Sequence, residues 1–297
     1  MMRKPLFTGA CTALVTPFLD NQINYPLMEQ LLRRQIDSGI TAVVIAGTTG
    51  ESPTLTDEEK VELFKRCKAY VGDSCTIIAG TGSNDTVYSV ELCNDAEAVG
   101  ADAFLMVAPY YNKTSQAGLV AHYNYIADRV NKPIILYNVP SRTGVAIKPE
   151  TYKELSKHQN IVAVKEANGD LSAIAKTRYL CGDDLAVYSG NDDQIVPVMS
   201  LGGLGVISVL SNVLPYETHL MCHEYLNGNT KKAQEMQLKY TGLIDALFCD
   251  VNPIPVKTAM NLAGMNVGPL RLPLYPMNEG NLNYLKEKLL ECGIELK

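Results

Sequence analysis

Residues 161–167 read IVAVKEA. Ile161, Val162, Ala163 and Val164 are apolar without alternation, so both faces of this strand are expected to be covered. That pattern belongs to a parallel sheet with helices packed on it, not to a half-solvated antiparallel one. The run ends in Lys165 and Glu166. A lysine at the end of a buried strand is ordinarily a rim side chain or one half of an ion pair. Its other use is chemical. Burial favours the neutral amine, which can attack a carbonyl.

Runs of similar character recur at 9–18 (GACTALVTPF), 41–47 (TAVVIAG), 75–80 (CTIIAG), 103–109 (AFLMVAP), 133–140 (PIILYNVP), 185–190 (LAVYSG) and 205–210 (GVISVL). Amphipathic stretches of helical length separate them, among them 24–38, 57–71 and 84–99. In the first, Leu27, Leu31 and Leu32 share a face. Thr56 with Glu59 three residues on predicts a capping box, and Gly39 and Gly100 predict helix stops. Eight strand–helix units within about 225 residues predict an α/β protein built as a (β/α)8 TIM barrel. The competing open doubly wound sheet is disfavoured because no GxGxxG follows the first strand. Residues 215–297 continue in helical pattern (YETHLMCHEYLNG, KKAQEMQLKYTGLIDALF and NLNYLKEKLLECGI) without a further clear strand, which predicts a C-terminal helical extension. The expected division is 1–224 for the catalytic barrel and 225–297 for the helical domain.

The 297 residues are 46% hydrophobic and 20% charged, with a formal net charge of −6. A nucleic-acid partner would need a basic footprint, so none is expected. No apolar run reaches the ~18 residues of a membrane span, so no membrane partner is expected. The start, MMRKPLFTGACTALVTPF, is interrupted by Pro5, Thr12 and Thr16 and reads as a strand rather than a signal peptide. The eight cysteines include no CxxC pair, and several lie inside apolar runs. They are expected to be reduced, buried hydrophobes of a cytoplasmic protein. His219 and His223 lie four apart with Cys222 beside them, but two same-face residues fall short of a coordination set, so no metal is expected. Asp183/Asp184 and Asp192/Asp193 look like solvated turns.

In such a barrel the chemistry sits at the C-terminal ends of the strands. Those ends carry Thr48 and Thr49 in GTTGES, Tyr110 and Tyr111 in PYYN, Tyr137 and Arg142 in LYNVPSRTG, Lys165 and Glu166 in VKEA, and Gly190 in SGND. Each has an ordinary explanation alone. GTTGES lacks the GK[ST] of a phosphate-binding loop and suits a helix-capping turn. A tyrosine pair usually packs, and a lone loop arginine is usually solvated. Their convergence on one rim is what favours a site.

Taken in order and spacing, GTTGES, PYYNK, YNVPSRTG, VAVKEA and YSGND resemble the dihydrodipicolinate synthases, and NPIPVKTAM at 252–260 extends the resemblance over the whole chain. That family belongs to the pyruvate-dependent class I aldolases, with N-acetylneuraminate lyase among its relatives. The resemblance implies a Schiff-base-forming lyase. It would condense pyruvate with L-aspartate-4-semialdehyde to 4-hydroxy-tetrahydrodipicolinate, the first committed step of diaminopimelate and lysine biosynthesis. It implies no metal and no organic cofactor. Carried across, it makes Lys165 the Schiff-base lysine, Tyr137 the neighbouring acid/base and Thr48 the relaying hydroxyl. Thr49 would contact the pyruvate carboxylate, Arg142 the carboxylate of the aldehyde, and Gly190 and Ile207 would border the bound pyruvate through their backbone. Tyr111 would reach across a dimer interface to complete the neighbour's relay, so a homodimer, or a homotetramer built as a dimer of dimers, is implied.

A second possibility within the fold is a lyase for sialic or keto-deoxy sugar acids. Arg142 favours the synthase, because a planar guanidinium suits bidentate carboxylate binding. A barrel that merely binds a keto acid is disfavoured by the set of Thr48, Tyr111, Tyr137 and Lys165, since a binder has no use for a proton relay. Lysine-sensitive members of the family carry two histidines just after GTTGE and a glutamate beyond the next loop's asparagine. Here Asp57, Lys60 and Tyr88 stand in those places, while Asn84 and Tyr110 are kept. Weak or absent inhibition by lysine is therefore expected.

Overall fold

The computed structural model describes residues 5–297; the first four residues of the start discussed above lie outside them. Among the described residues, eight parallel strands close into a barrel. They are β1 (Gly9–Ala13), β2 (Ala42–Ile45), β3 (Thr76–Gly80), β4 (Ala103–Val107), β5 (Ile134–Asn138), β6 (Ile161–Glu166), β7 (Ala186–Ser189) and β8 (Gly205–Ser208). They pair in chain order, and β8 returns to β1. This is the expected (β/α)8 TIM barrel.

The unbroken apolar runs follow from two packed layers. Cys11, Val44, Ile78, Leu105, Ile135 and Ile207 fill the barrel. Val43, Ile77, Phe104, Leu136, Val164 and Val206 alternate with them and pack under the helices. Burying such an aliphatic side chain stabilises by about 1.5–3 kcal/mol. Ring closure needs one special residue. Gly205 pairs with Gly9, has φ +148, and a Cβ there would lie 1.8 Å from the Gly9 carbonyl oxygen. The lower end is plugged by Phe7, which stacks on Tyr188 at 4.1 Å and accepts the Tyr188 hydroxyl hydrogen at its carbonyl (2.7 Å).

Local signals in the sequence have direct counterparts. The helix Asp57–Val71 starts with Thr56 Oγ1 accepting from Glu59 N–H, while Glu59 Oε2 accepts from Thr56 N–H. The helices Tyr25–Asp37 and Thr86–Ala98 are each followed by a left-handed glycine, Gly39 (φ +87) and Gly100 (φ +98). All eight cysteines are free, and burial pushes the thiols of Cys67, Cys75 and Cys93 up to about 12. Among the described residues, no helix is long and apolar enough to cross a membrane.

After β8 the helix Pro215–Leu226 packs on β1, and Thr230–Leu247 packs on that helix. The expected division at 224/225 falls inside Pro215–Leu226, and the nearest break between helices is at 227–229. Glu279–Glu291 closes the extension by burying Leu285 and Leu289. The helix Ile254–Leu262, which starts within NPIPVKTAM, was not among the helices expected. Two prolines make this segment look like a loop. Pro253 is the N-cap and Pro255 lies in the first turn, where no intrahelical N–H is required.

Candidate active site

Tyr137 on β5 and Lys165 on β6 are partners in the parallel register, as are Asn138 and Glu166 one residue on. Side chains alternate along a strand, so one pair faces the barrel interior and the other faces the helices. The inward pair is nearly dry: Lys165 is 5% exposed and Tyr137 7%. Lys165 Nζ stands 4.5 Å from the centre of the Tyr137 ring and forms no ion pair among the described residues. The ordinary explanation of a buried lysine, a carboxylate in direct contact, does not apply among the described residues.

A cavity of about 250 Å³ opens above this pair, with Thr48, Tyr137, Arg142, Tyr110, Lys60 and Tyr88 on its wall. Thr49, Lys165, Gly190 and Ile207 are not on that wall; Lys165 adjoins it through the Tyr137 ring. Gly190 N–H donates to Glu166 O (2.7 Å), and a Cβ on Gly190 would come within 2.7 Å of the Ala167 Cβ, so glycine lets the end of β7 lie against β6. Ile207 is fully buried inside the barrel, where Cys11 is its partner on β1. Thr49 Oγ1 accepts from Asn252 Nδ2 (3.0 Å), and Arg142 Nη2 donates to the Asn252 carbonyl (3.0 Å). Asn252 comes from the extension and joins two expected site residues. Its only trace in the sequence is its place in NPIPVKTAM.

Tyr111 is also absent from the cavity wall; it is 91% exposed and held at φ +67. A left-handed backbone costs an ordinary residue about 1–2 kcal/mol, so the turn spends strain to project this ring outward.

Two acidic residues have fates the sequence did not show. Asp192, expected in a solvated turn, is 1% exposed and its Oδ2 accepts from the N–H groups of Val209 and Leu210, both at 2.9 Å. It ties the turn after β7 to the end of β8. Burial pushes its carboxyl up, against its hydrogen bonds and the positive charge of Lys165. Glu166, beside the buried lysine, points the other way. It accepts from Asn138 Nδ2 (2.9 Å), the Tyr152 hydroxyl (2.7 Å) and Asn168 N–H (3.0 Å). Asn138 Oδ1 in turn accepts from Ile147 N–H. This outward cluster clamps the two strands directly behind the inward Tyr137–Lys165 pair.

Burial pushes Glu166 from its ordinary 4.5 up to about 7, despite those donors. The folded state therefore holds this proton more tightly than the unfolded chain does. Its contribution to stability is full below about pH 4.5 and is lost as the pH rises to about 7. Tyr152→Phe removes a donor that favours the anion. It should cost about 1.5–3 kcal/mol at pH 8, where the carboxylate is charged, and clearly less at pH 5. Equal losses at the two pH values in urea titrations would contradict this reading.

Lys60 and Tyr88, on the cavity wall, form a closed triangle with Asp57. Lys60 Nζ meets Asp57 Oδ1 at 3.2 Å and the Tyr88 hydroxyl at 2.9 Å, and that hydroxyl also donates to Asp57. Asn84 Nδ2 donates to the Tyr110 carbonyl nearby (3.1 Å). His219 and His223 stack at 5.5 Å beside Phe7 and Thr41, on a different cavity that shares no residue with this one.

Fold and site together define a (β/α)8 barrel with a buried amine that has no ion-pair partner among the described residues, the architecture of a lysine-dependent aldolase. A profile described as the dihydrodipicolinate synthetase family matches residues 6–291. The chain belongs to that family. It is 53% identical over 289 residues to a 4-hydroxy-tetrahydrodipicolinate synthase of Clostridium perfringens, covering 97% of this chain and 99% of that protein. It is 52% identical over 291 residues to a protein of the same name from Thermoanaerobacter sp., covering 98% of each. The crystal structure of the dihydrodipicolinate synthase of Thermotoga maritima superposes with a TM-score of 0.95 at 42% identity, over 98% of this chain and all of that one.

Proposed function

We propose that this chain condenses pyruvate with L-aspartate-4-semialdehyde through a Schiff base on Lys165, giving 4-hydroxy-tetrahydrodipicolinate. The observation that carries the reading is the isolated Lys165 amine, 5% exposed and 4.5 Å from the Tyr137 ring, at the C-terminal end of a barrel strand. The amine attacks the keto carbon of pyruvate and water leaves, giving an imine. The imine draws electrons from the adjacent carbon, so a methyl proton departs and an enamine forms. The enamine carbon attacks the aldehyde. The substrate's own amine then adds to the imine carbon, closes the ring and expels Lys165.

Each step moves protons, and hydroxyls beside the nitrogen are suited to carry them. The Tyr137 ring lies 4.5 Å from the Lys165 nitrogen, and Thr48 shares the cavity with Tyr137. Tyr111 projects away from its own cavity, as a group serving a second copy would. The working unit is therefore at least a homodimer, and we assign it to the cytoplasm. Thr49, held by Asn252, is assigned the pyruvate carboxylate, and the backbone of Gly190 and Ile207 is assigned to surround the bound pyruvate.

Arg142 lines the cavity, and we assign it the aldehyde's carboxylate. Arg142→Ala should raise the apparent KM for the aldehyde by about 10- to 100-fold, the worth of a charged hydrogen bond, and leave pyruvate trapping intact. Small, equal effects on both substrates would favour a sugar-acid lyase. Lysine should inhibit weakly or not at all, because the ammonium of Lys60 already holds Asp57 and Tyr88. Half-maximal inhibition at sub-millimolar lysine would contradict that.

The deciding experiment is borohydride reduction with pyruvate, read by mass spectrometry of peptides. A reduced pyruvyl adduct on Lys165, absent from Lys165→Ala, is the expected result. No adduct, with pyruvate still bound, would leave a keto-acid-binding barrel.

A further inference from the structure

We infer that Lys257, in the C-terminal extension, is a positioning residue for the 47–52 turn and so sets the placement of Thr48 and Thr49. The role rests on the reaction proposed above. Lys257 and Glu51 form an ion pair at 2.7 Å with both side chains removed from water. Lys257 Nζ also donates to the Pro269 carbonyl (2.6 Å) and lies 4.4 Å from the centre of the Phe18 ring. The other carboxylate oxygen of Glu51 accepts from Arg271 N–H (2.9 Å). Arg271 covers the same Phe18 ring at 4.3 Å and grips Glu59 with two bonds of 2.6 Å. Every partner of the Glu51 carboxylate thus comes from the extension.

Glu51 is also the strained residue of the turn. Its φ is +59, left-handed, where a side chain is disfavoured. Its N–H donates to the Thr48 carbonyl (3.1 Å) and its carbonyl accepts from Thr54 N–H (3.0 Å). Strain of this kind persists only where the surroundings over-determine the backbone. Here the over-determination comes from Lys257 and Arg271. A buried ion pair adds little net stability, because desolvation offsets the attraction. What it supplies is geometry. With Glu51 fixed, Thr48 is fixed three residues upstream. Without Lys257 the turn is free to relax from the left-handed conformation.

The test separates positioning from folding. Lys257→Met alone leaves a buried carboxylate short of a partner, so the main variant is Lys257→Met/Glu51→Gln, which removes both charges at similar volume. Three quantities are measured on the full chain: Tm, borohydride trapping of pyruvate, and exchange of the pyruvate methyl protons in deuterated water by NMR. The double variant should keep its Tm within a few degrees and still trap pyruvate. Its methyl exchange should slow by about 10²-fold, the usual consequence of misplacing a reacting group by an ångström. Exchange within about threefold of wild type at unchanged Tm would overturn the positioning role. Should the double variant not fold, Lys257→Arg keeps the charge and moves the donor; slowed exchange at unchanged Tm supports the role, and unchanged exchange overturns it. A wild-type chain that traps no pyruvate would overturn the reaction itself and Lys257's part in it.

Discussion

Lys165→Met will lose turnover by on the order of 10⁵-fold or more while keeping its fold, the scale reached when a covalent nucleophile is removed. The two halves of this expectation have one cause. Lys165 holds a polar terminus in the barrel without an ion-pair partner among the described residues, an arrangement that folding does not favour. Methionine fills nearly the same space with no group to desolvate. Tm should hold or rise, by about 2 °C for each kcal/mol gained in a chain of this size. Gain of stability with loss of turnover is the signature of a residue kept for chemistry. The decisive measurement is Tm alongside steady-state rate. A variant that loses several degrees would make Lys165 a packing residue, and one that retains turnover would dismiss the Schiff base altogether.

Tyr111→Phe should reduce kcat by about 10²–10⁴-fold, the range for a positioned proton-transfer group, with little effect on Tm because the ring is 91% exposed. The informative step is mixing. Tyr111→Phe and Lys165→Met are each inactive, but they damage different sites if the tyrosine serves a second copy. Random exchange of subunits makes half of the dimers hybrid, and each hybrid contains one intact site with Lys165 from one chain and Tyr111 from the other. Activity should recover to roughly a quarter of wild type. If subunits demonstrably exchange and no activity returns, Tyr111 serves its own chain or none. The left-handed backbone at Tyr111 (φ +67) gives a companion measurement: Tyr111→Gly relieves that strain while abolishing the relay, so it should be as slow as Tyr111→Ala and more stable.

Most of the architecture could be read in advance. A strand covered on both faces has no solvent side, so its apolar run is unbroken, as in IVAVKEA and AFLMVAP. Thr56 with Glu59, and the glycines at 39 and 100, act within one turn of the chain and were visible for that reason. The helix Ile254–Leu262 was hidden because prolines in a first turn look like those of a loop. Asp192 was misplaced because the N–H groups that bury it belong to Val209 and Leu210, on another strand–loop unit.

Spacing along the chain was enough to decide that this is a parallel barrel and which side chains stand at its mouth, because the period of a strand and its C-terminal end are local properties. Only the folded molecule decided which of those side chains is alone and which is held. Lys165 and Glu166 are neighbours in sequence, yet one faces Tyr137 with no ion-pair partner among the described residues and the other is tied to Asn138 and Tyr152. Glu51 is fixed by Lys257 and Arg271, more than two hundred residues away. Charge and hydrogen-bond partners act through space over a few ångströms, and the separation of two residues along the chain carries no record of that distance.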